Sequence, residues 1–326
     1  MNDLRYRLLE HRGTLLAAAV FAVLFLVYVS NYATGLNAAV ATTVANKGVL
    51  LAIVAMAQTL PVLTAGLDLS VGMVFVLANC LASELVVGSP LETAFGIVVV
   101  LIAGLACGAL NGIIIVYGRL QPIITTLATG AIYFGLALWL RPVPGGDINS
   151  DLADAVTGQL PGGIPAILAV LLAVVLLVWV PFRNSVTGRA ALAVGSSEQA
   201  SFMSGIPIGR VKLVTYALAG LLASIAGLLL TFVTYSGEAS SSIGGTYTLN
   251  SIAAVVIGGT SLMGGYGSAI GSIFGAFVLR TIGDLLFVLD LDPLWQPLFQ
   301  GLILLIAVSL SALRLLKVRN RLDLFS

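Results

Sequence analysis

Charge is the scarcest thing in this sequence. Only 9% of its 326 residues are Asp, Glu, Lys or Arg, against about 25% in a soluble domain. So few cannot cover the surface of a soluble enzyme of this length. A net charge of +1 gives no field for a polyanion, which excludes a nucleic-acid binder. Histidine occurs once, as His11, so a Ser-His or Cys-His nucleophile pair inside the apolar body is excluded. Cys80 and Cys107 lie in apolar runs without metal-ligand spacing. Neither a disulfide framework nor a metal site is implied. The only lysines, Lys47, Lys212 and Lys317, do not follow glycine. The GxxxxGK[ST] phosphate loop is therefore missing, and with it an ATP site of that kind.

What the chain has instead is apolar length. Hydrophobic residues make up 59% and the mean hydropathy is +1.09. The class is all-α: a polytopic membrane helical bundle. Ten segments are apolar enough to span: Thr14–Ser30, Gly48–Leu63, Leu69–Val87, Thr93–Tyr117, Pro122–Leu140, Ile164–Phe182, Val211–Tyr235, Leu249–Met263, Gly267–Leu289 and Leu294–Leu313. The second and eighth are short and run into Gly-containing turns, Ala65-Gly66 and Gly264-Gly265. Interrupted spans of that kind point to a transport pathway; a short or tilted helix is the plainer reading. This gives a tail at 1–13, a membrane body at 14–313 and a tail at 314–326. The first run follows three arginines, as a signal peptide does, but no small-x-small cleavage site follows it and it reads as the first span.

Ten spans put both termini on one side. That side collects Arg5, Arg7, Arg12, Arg119, Arg183, Arg189, Arg210, Lys212, Arg314, Lys317, Arg319 and Arg321, and the other keeps Lys47 and Arg141. The asymmetry makes both termini cytoplasmic and Pro142–Gly163 external.

Glycines recur every fourth residue at Gly104, Gly108 and Gly112, and again at Gly267, Gly271 and Gly275. Gln121-Pro122 and Gln296-Pro297 follow the two stripes. The pattern suggests an inverted repeat of spans 2–5 and 7–10, or simply tight helix packing. Within the spans Arg280 and Asp284 stand four apart on one helix face. They form either a gate or an ion pair that neutralises itself. Asp284 lacks the second aspartate that an intramembrane protease needs.

The turn between spans 2 and 3 reads TAGLDLSVG, Thr64–Gly72. Gly66 permits a sharp turn and Asp68 is placed to cap the helix that starts at Leu69. With Ser70 and Gly72 it forms a candidate gate, or only a capped re-entrant turn. This stretch resembles the AGxDLSVG signature of the permease subunits of bacterial monosaccharide ABC importers, the ribose, xylose, arabinose, galactofuranose and fructose group. The resemblance continues in Gly108-Ala109-Leu110-Asn111-Gly112, in Gln121 to Leu127 (QPIITTL), in Thr187-Gly188-Arg189 with Ala193-Val194-Gly195, and in Ile252 to Gly265 (IAAVVIGGTSLMGG). It covers roughly residues 45 to 310. Ser196, where the family often has Asn, and the acid-free Tyr247 to Ser251 depart from its pattern.

The resemblance implies a permease dimer in the bacterial inner membrane. A periplasmic sugar-binding protein delivers substrate. A separate ATPase subunit uses ATP and Mg, and the missing phosphate loop agrees. No nucleic acid, cofactor or metal belongs to this chain. The resemblance also makes the polar loop 183–210 an ATPase-docking segment, with Thr187, Gly188, Arg189, Glu198 and Gly205 at the contact. A sugar pathway needs neutral hydrogen-bonding groups, and Asn79, Asn111, Thr125, Thr129, Tyr133, Asn250 and Gln300 lie in the spans. Singly each reads as interhelical glue. Thr125, Thr129 and Tyr133 share a face of span 5 and form a candidate pathway stripe. A stand-alone facilitator of small neutral solutes is the second reading.

Overall fold

The computed structural model describes residues 12–32, 35, 37–302, 305 and 309. The stretches 1–11 and 314–326, with His11, and nine of the twenty residues of the tenth span lie outside the described residues. The elements run α1 (Arg12–Asn31), α2 (Ala38–Leu63), α3 (Val71–Leu85), α4 (Pro90–Tyr117), α5 (Pro122–Leu140), α6 (Ser150–Thr157), a two-residue hairpin of β1 (Gln159–Leu160) and β2 (Ile164–Pro165), α7 (Ala166–Asn184), α8 (Val186–Ser196), α9 (Glu198–Met203), α10 (Ile208–Thr234), α11 (Ser241–Ile257) and α12 (Ala269–Val288). Residues 296–302 are again helical. Among the described residues seven helices are long and apolar enough to cross a membrane: α1, α2, α4, α5, α7, α10 and α12. The chain is an all-α polytopic membrane bundle.

The second span is not short. α2 has 26 residues and begins at Ala38, ten residues before the apolar run. Its first turns carry Thr42, Thr43, Asn46 and Lys47, which end any hydropathy window. Three of these side chains bond locally: the threonine hydroxyls donate to the carbonyls of Ala38 and Ala39, and Asn46 Nδ2 donates to Thr157 O at 2.9 Å, while Asn46 Oδ1 has no partner. Asn37 caps the helix by accepting from Val40 N. The eighth span moves the same way. α11 starts at Ser241 and ends at Ile257 after 17 residues. Ser89 and Glu92 close a capping box at the start of α4, with Pro90 in its first turn.

Every residue of α2 from Gly48 to Leu63 is buried. Its partner at the centre is α10, which packs along α2, α3 and α4. α12 packs on α1, α2 and α11; α11 packs on α2 and α3; α5 packs on α3. Exchanging α2, α3 and α4 for α10, α11 and α12 interchanges three pairs of these contacts, while α1–α12 and α3–α5 have no counterpart among the described residues. The pairs α10–α4 and α2–α12, α10–α3 and α2–α11, α3–α4 and α11–α12 are interchanged. That is the contact signature of two related halves, and α2 and α10 are its central members.

The glycine stripes that suggested the repeat report something else. In α4, Gly104, Gly108 and Gly112 press against α10: a Cβ on Gly112 would stand 2.9 Å from Leu213 Cα, and one on Gly104 2.6 Å from Gly220 O. In α12, Gly271 and Gly275 face Gly258 and Ala254, at the end of α11. Gly267 precedes the helix and abuts Thr260. The two stripes serve partners that the exchange does not relate. They follow from close packing in lipid, where helices gain nothing by hiding apolar side chains from one another and cohere through backbone approach.

Candidate functional site

The Thr64–Gly72 turn lies inside the bundle. Ala65 adopts a left-handed conformation (φ 59°), and Gly66 N donates to Pro61 O at 3.0 Å, reversing the chain after α2. Asp68 is buried. It is not the cap of the next helix, as the sequence suggested. α3 starts at Val71 with Ser70 at its N-cap. Asp68 Oδ1 instead accepts from Ser70 N at 2.9 Å and Ser70 Oγ at 2.6 Å. The carboxylate is held by a local turn because the first helical N–H groups lie two residues too far on.

Four helices close on this turn. From α4, Asn111 Nδ2 donates to Ser70 Oγ at 2.8 Å. From α5, Tyr133 OH reaches Asn111 Oδ1 at 3.1 Å and Cys107 O at 2.9 Å, and Thr126 Oγ1 accepts from Leu69 N at 2.9 Å. From α2, the Gln58 amide, oriented to suit its neighbours, donates to Asp68 O at 2.9 Å and accepts from Asp68 N at 3.2 Å. From α11, Thr248 Oγ1 accepts from Gly72 N at 3.1 Å. Gly72 is glycine because Gly244 of α11 lies against it. Gln58, Thr126 and Thr248 were not among the candidate site residues read from the sequence, since single polar residues in apolar helices carry no local mark of convergence. Among the described residues Asp68 forms no ion pair with Lys or Arg.

A second turn, 258–267, meets the first. Gly265 N donates to Leu63 O at 3.1 Å, and a Cβ on Gly264 would fall 2.7 Å from Ala65 N. Gly195 of α8 is wedged into the same junction, against Leu63 O and Gly265 N. The loop 183–210 thus holds two short helices, α8 and α9, and the first touches both turns. Gly188 is buried under Phe182, where a Cβ would be 3.1 Å from Arg183 Cα, and its N–H donates to Ser185 Oγ at 3.0 Å. Thr187 is half-buried and Arg189 exposed. Glu198 pairs with Lys212 of its own chain at 2.7 Å. Gly205 (φ 75°) makes the turn into α10. Beside Arg189 the segment exposes Val186, Phe202 and Met203. These apolar knobs escaped notice because the sequence reading searched the loop for polar groups.

At the opposite end of α3, residues 141–157 are laid over the helix. Arg141 pairs with Glu84 and donates to Ser83 O at 3.2 Å. Asn149 N donates to Val86 O at 2.9 Å, and Gly145 bridges to Gly237. Asn79 supports this cap from below: Nδ2 donates to Thr231 Oγ1 (2.8 Å) and Ser236 O (3.1 Å), and Oδ1 accepts from Glu238 N (2.8 Å). Thr125, Thr129 and Tyr133 are buried against the bundle. Thr129 donates to Thr126 O at 3.4 Å, while the Thr125 hydroxyl has no partner. Asn250 and Gln300 are half-buried. Arg280 and Asp284 form their ion pair at 3.2 Å along α12. Among the described residues no group of His, Cys, Asp and Glu could hold a metal.

A polytopic membrane bundle, two of whose helices end in turns that meet against a short helical segment, is the build of a transport permease. Residues 40–308 match the family described as branched-chain amino acid transport system / permease component. The chain belongs to this family. It is 35% identical over 262 residues to the ribose import permease protein RbsC of Bacillus subtilis, covering 79% of this chain and 80% of that one. It is 34% identical over 261 residues to RbsC of Escherichia coli K12, with the same coverage. It is 32% identical over 280 residues to the fructose import permease protein FrcC of Rhizobium meliloti, covering 82% of this chain and 76% of FrcC. The resemblance to monosaccharide-importer permeases read from the motifs is thereby borne out. No solved structure matches the chain.

Proposed function

We propose that this chain is the translocating subunit of an ATP-powered importer for a neutral monosaccharide, a pentose or hexose. It works in the bacterial inner membrane beside a second permease copy or paralogue. A periplasmic binding protein supplies the sugar, and a separate ATPase hydrolyses ATP with Mg. The observation that carries this reading is Gly195, wedged between Leu63 O and Gly265 N. A push on α8 from outside the membrane reaches both central turns at once. The exposed Val186, Arg189, Phe202 and Met203 give an ATPase something to grip. Alternating access then follows from moving α2 and α10 about the junction of the turns. The sugar-import relatives support a sugar as cargo.

Reconstitution tests it. Liposomes holding this chain alone are expected to show no ribose or fructose uptake above empty vesicles. With the ATPase and binding protein present, uptake requires ATP. Uptake by the chain alone would replace the importer with a facilitator. The loop assignment is tested by labelling. A membrane-impermeant thiol reagent added outside cells should modify Ser150→Cys and spare Ser196→Cys, as both termini in the cytoplasm require. The reverse pattern would put α8 on the wrong side for an ATPase.

A further inference from the structure

Helices that reach the lipid here do so with large apolar side chains. α4 exposes Leu91, Phe95, Val98 and Ile102, and α5 exposes Ile124, Leu127, Ile132 and Leu136. α11 is different. Ser242 and Thr246 are exposed and Asn250 is half-buried, with Leu249 the one large apolar side chain exposed beside them. Four-residue spacing puts all three polar residues on one face. Gly245 lies beside them, and a Cβ there would meet nothing within 4 Å, unlike the glycines of α4, which are filled by a neighbouring backbone. Seventeen residues long, α11 does not reach the hydropathy that the fifteen-residue α3 reaches. Hydrocarbon cannot solvate hydroxyls and an amide, so a polar stripe on a membrane helix faces protein or water. The other side of α11 is fixed. Thr248 accepts from Gly72 N, Tyr247 stacks on Phe75 with ring centroids 4.4 Å apart, and Ser251 is buried. The stripe is therefore carried by a helix bonded to the Asp68 turn.

We propose that Ser242, Thr246 and Asn250 line the sugar passage and bind sugar hydroxyl groups during transit, with a second copy of the chain closing the passage. This rests on the importer reading. The stripe carries no ionisable group, which fits a neutral polyol and disfavours an ion. Its groups both donate and accept, as sugar hydroxyls do. Three separate, weak contacts let the cargo move from one to the next. The stripe starts at the end of α11 nearest the Gly145–Gly237 bridge and runs toward the two turns, so it leads from the outer cap to the proposed moving junction.

The experiment places single cysteines at 242, 246 and 250, and at Val98 as a lipid-facing control, each above the background of the parent chain. A charged, membrane-impermeant methanethiosulfonate is added to cells making the whole importer. Modification at the three stripe positions is expected at least about tenfold faster than at position 98, because the thiolate that reacts needs water. Ribose or fructose together with the binding protein should slow it. The pair Thr246→Val with Asn250→Leu should lower uptake about tenfold at unchanged membrane level, as loss of two weak hydrogen bonds does. Stripe cysteines as slow as Val98→Cys would overturn the proposal. So would stripe cysteines that resist the reagent yet cross-link to a second copy, since the stripe would then be a dry contact. Labelling needs no transport. If the parent chain takes up neither sugar, the importer reading loses its cargo while the labelling still decides whether the stripe is wet.

Discussion

A chain carrying Gly108→Leu is expected to leave almost no folded protein in the membrane, while Gly135→Leu leaves the wild-type amount. Both glycines sit in membrane helices, so helix propensity changes equally. Their surroundings do not. A Cβ on Gly108 would fall 2.9 Å from Gly220 N and closer still to Tyr216 O; one on Gly135 would meet nothing within 4 Å. α10 is as close from its own side: a Cβ on its Gly220 would fall 2.7 Å from Gly108 N. It is also packed on α2 and α3. Overpacking typically costs 1–3 kcal/mol. Here a whole helix pair must part, and in lipid nothing apolar compensates. About 3 kcal/mol or more shifts the folded fraction more than a hundredfold. The readout is the monodisperse peak after mild detergent extraction and size-exclusion chromatography. Peaks of equal height for the two variants would mean that α4 and α10 do not cohere through this contact.

The spans were legible because twenty apolar residues in a row have few other uses. Nine of the ten segments correspond to helices within the described residues. Their ends were misjudged where polar side chains are satisfied locally, as Thr42 and Thr43 are at the start of α2. The polar start of α11 hid for the same reason: Ser241 to Thr248 reads as a loop until its helix is seen. The TAGLDLSVG turn was legible as a special place. Its wiring was not, because Gln58, Thr126 and Thr248 come from three helices and only the fold brings them to one point. The loop 183–210 could be located by its charge, yet Phe202 and Met203 look like ordinary apolar residues until their exposure is known.

That wiring decides what Asp68 does. Its carboxylate accepts two hydrogen bonds from Ser70, whose hydroxyl in turn accepts from Asn111, which accepts from Tyr133. The donors all point toward the acid. Asparagine in its place can keep both bonds from Ser70 at its Oδ1, but its NH2 then replaces the buried Oδ2, on the side of the Asn111 amide, whose Nδ2 is also a donor. An unsatisfied buried donor costs about 1–3 kcal/mol. Were Asp68 only a turn-former, Asp68→Asn would be nearly silent, since Asn makes such turns as well as Asp. The turn is instead the meeting point of α2, α4, α5 and α11, and it touches the junction that α8 reaches. Under the alternating access proposed above, a strained turn there is expected to change the balance between two positions of the helices rather than the amount of protein. Asp68→Asn and Asp68→Ala are both expected to insert at wild-type levels and to lower ribose or fructose uptake about tenfold, the effect of some 1.4 kcal/mol on that balance. Asn111→Leu, which removes the next link, should resemble them. The measurement is uptake per unit of membrane protein in cells that also make the ATPase and the binding protein. Wild-type uptake by Asp68→Asn would reduce Asp68 to a local turn residue and move the gate elsewhere.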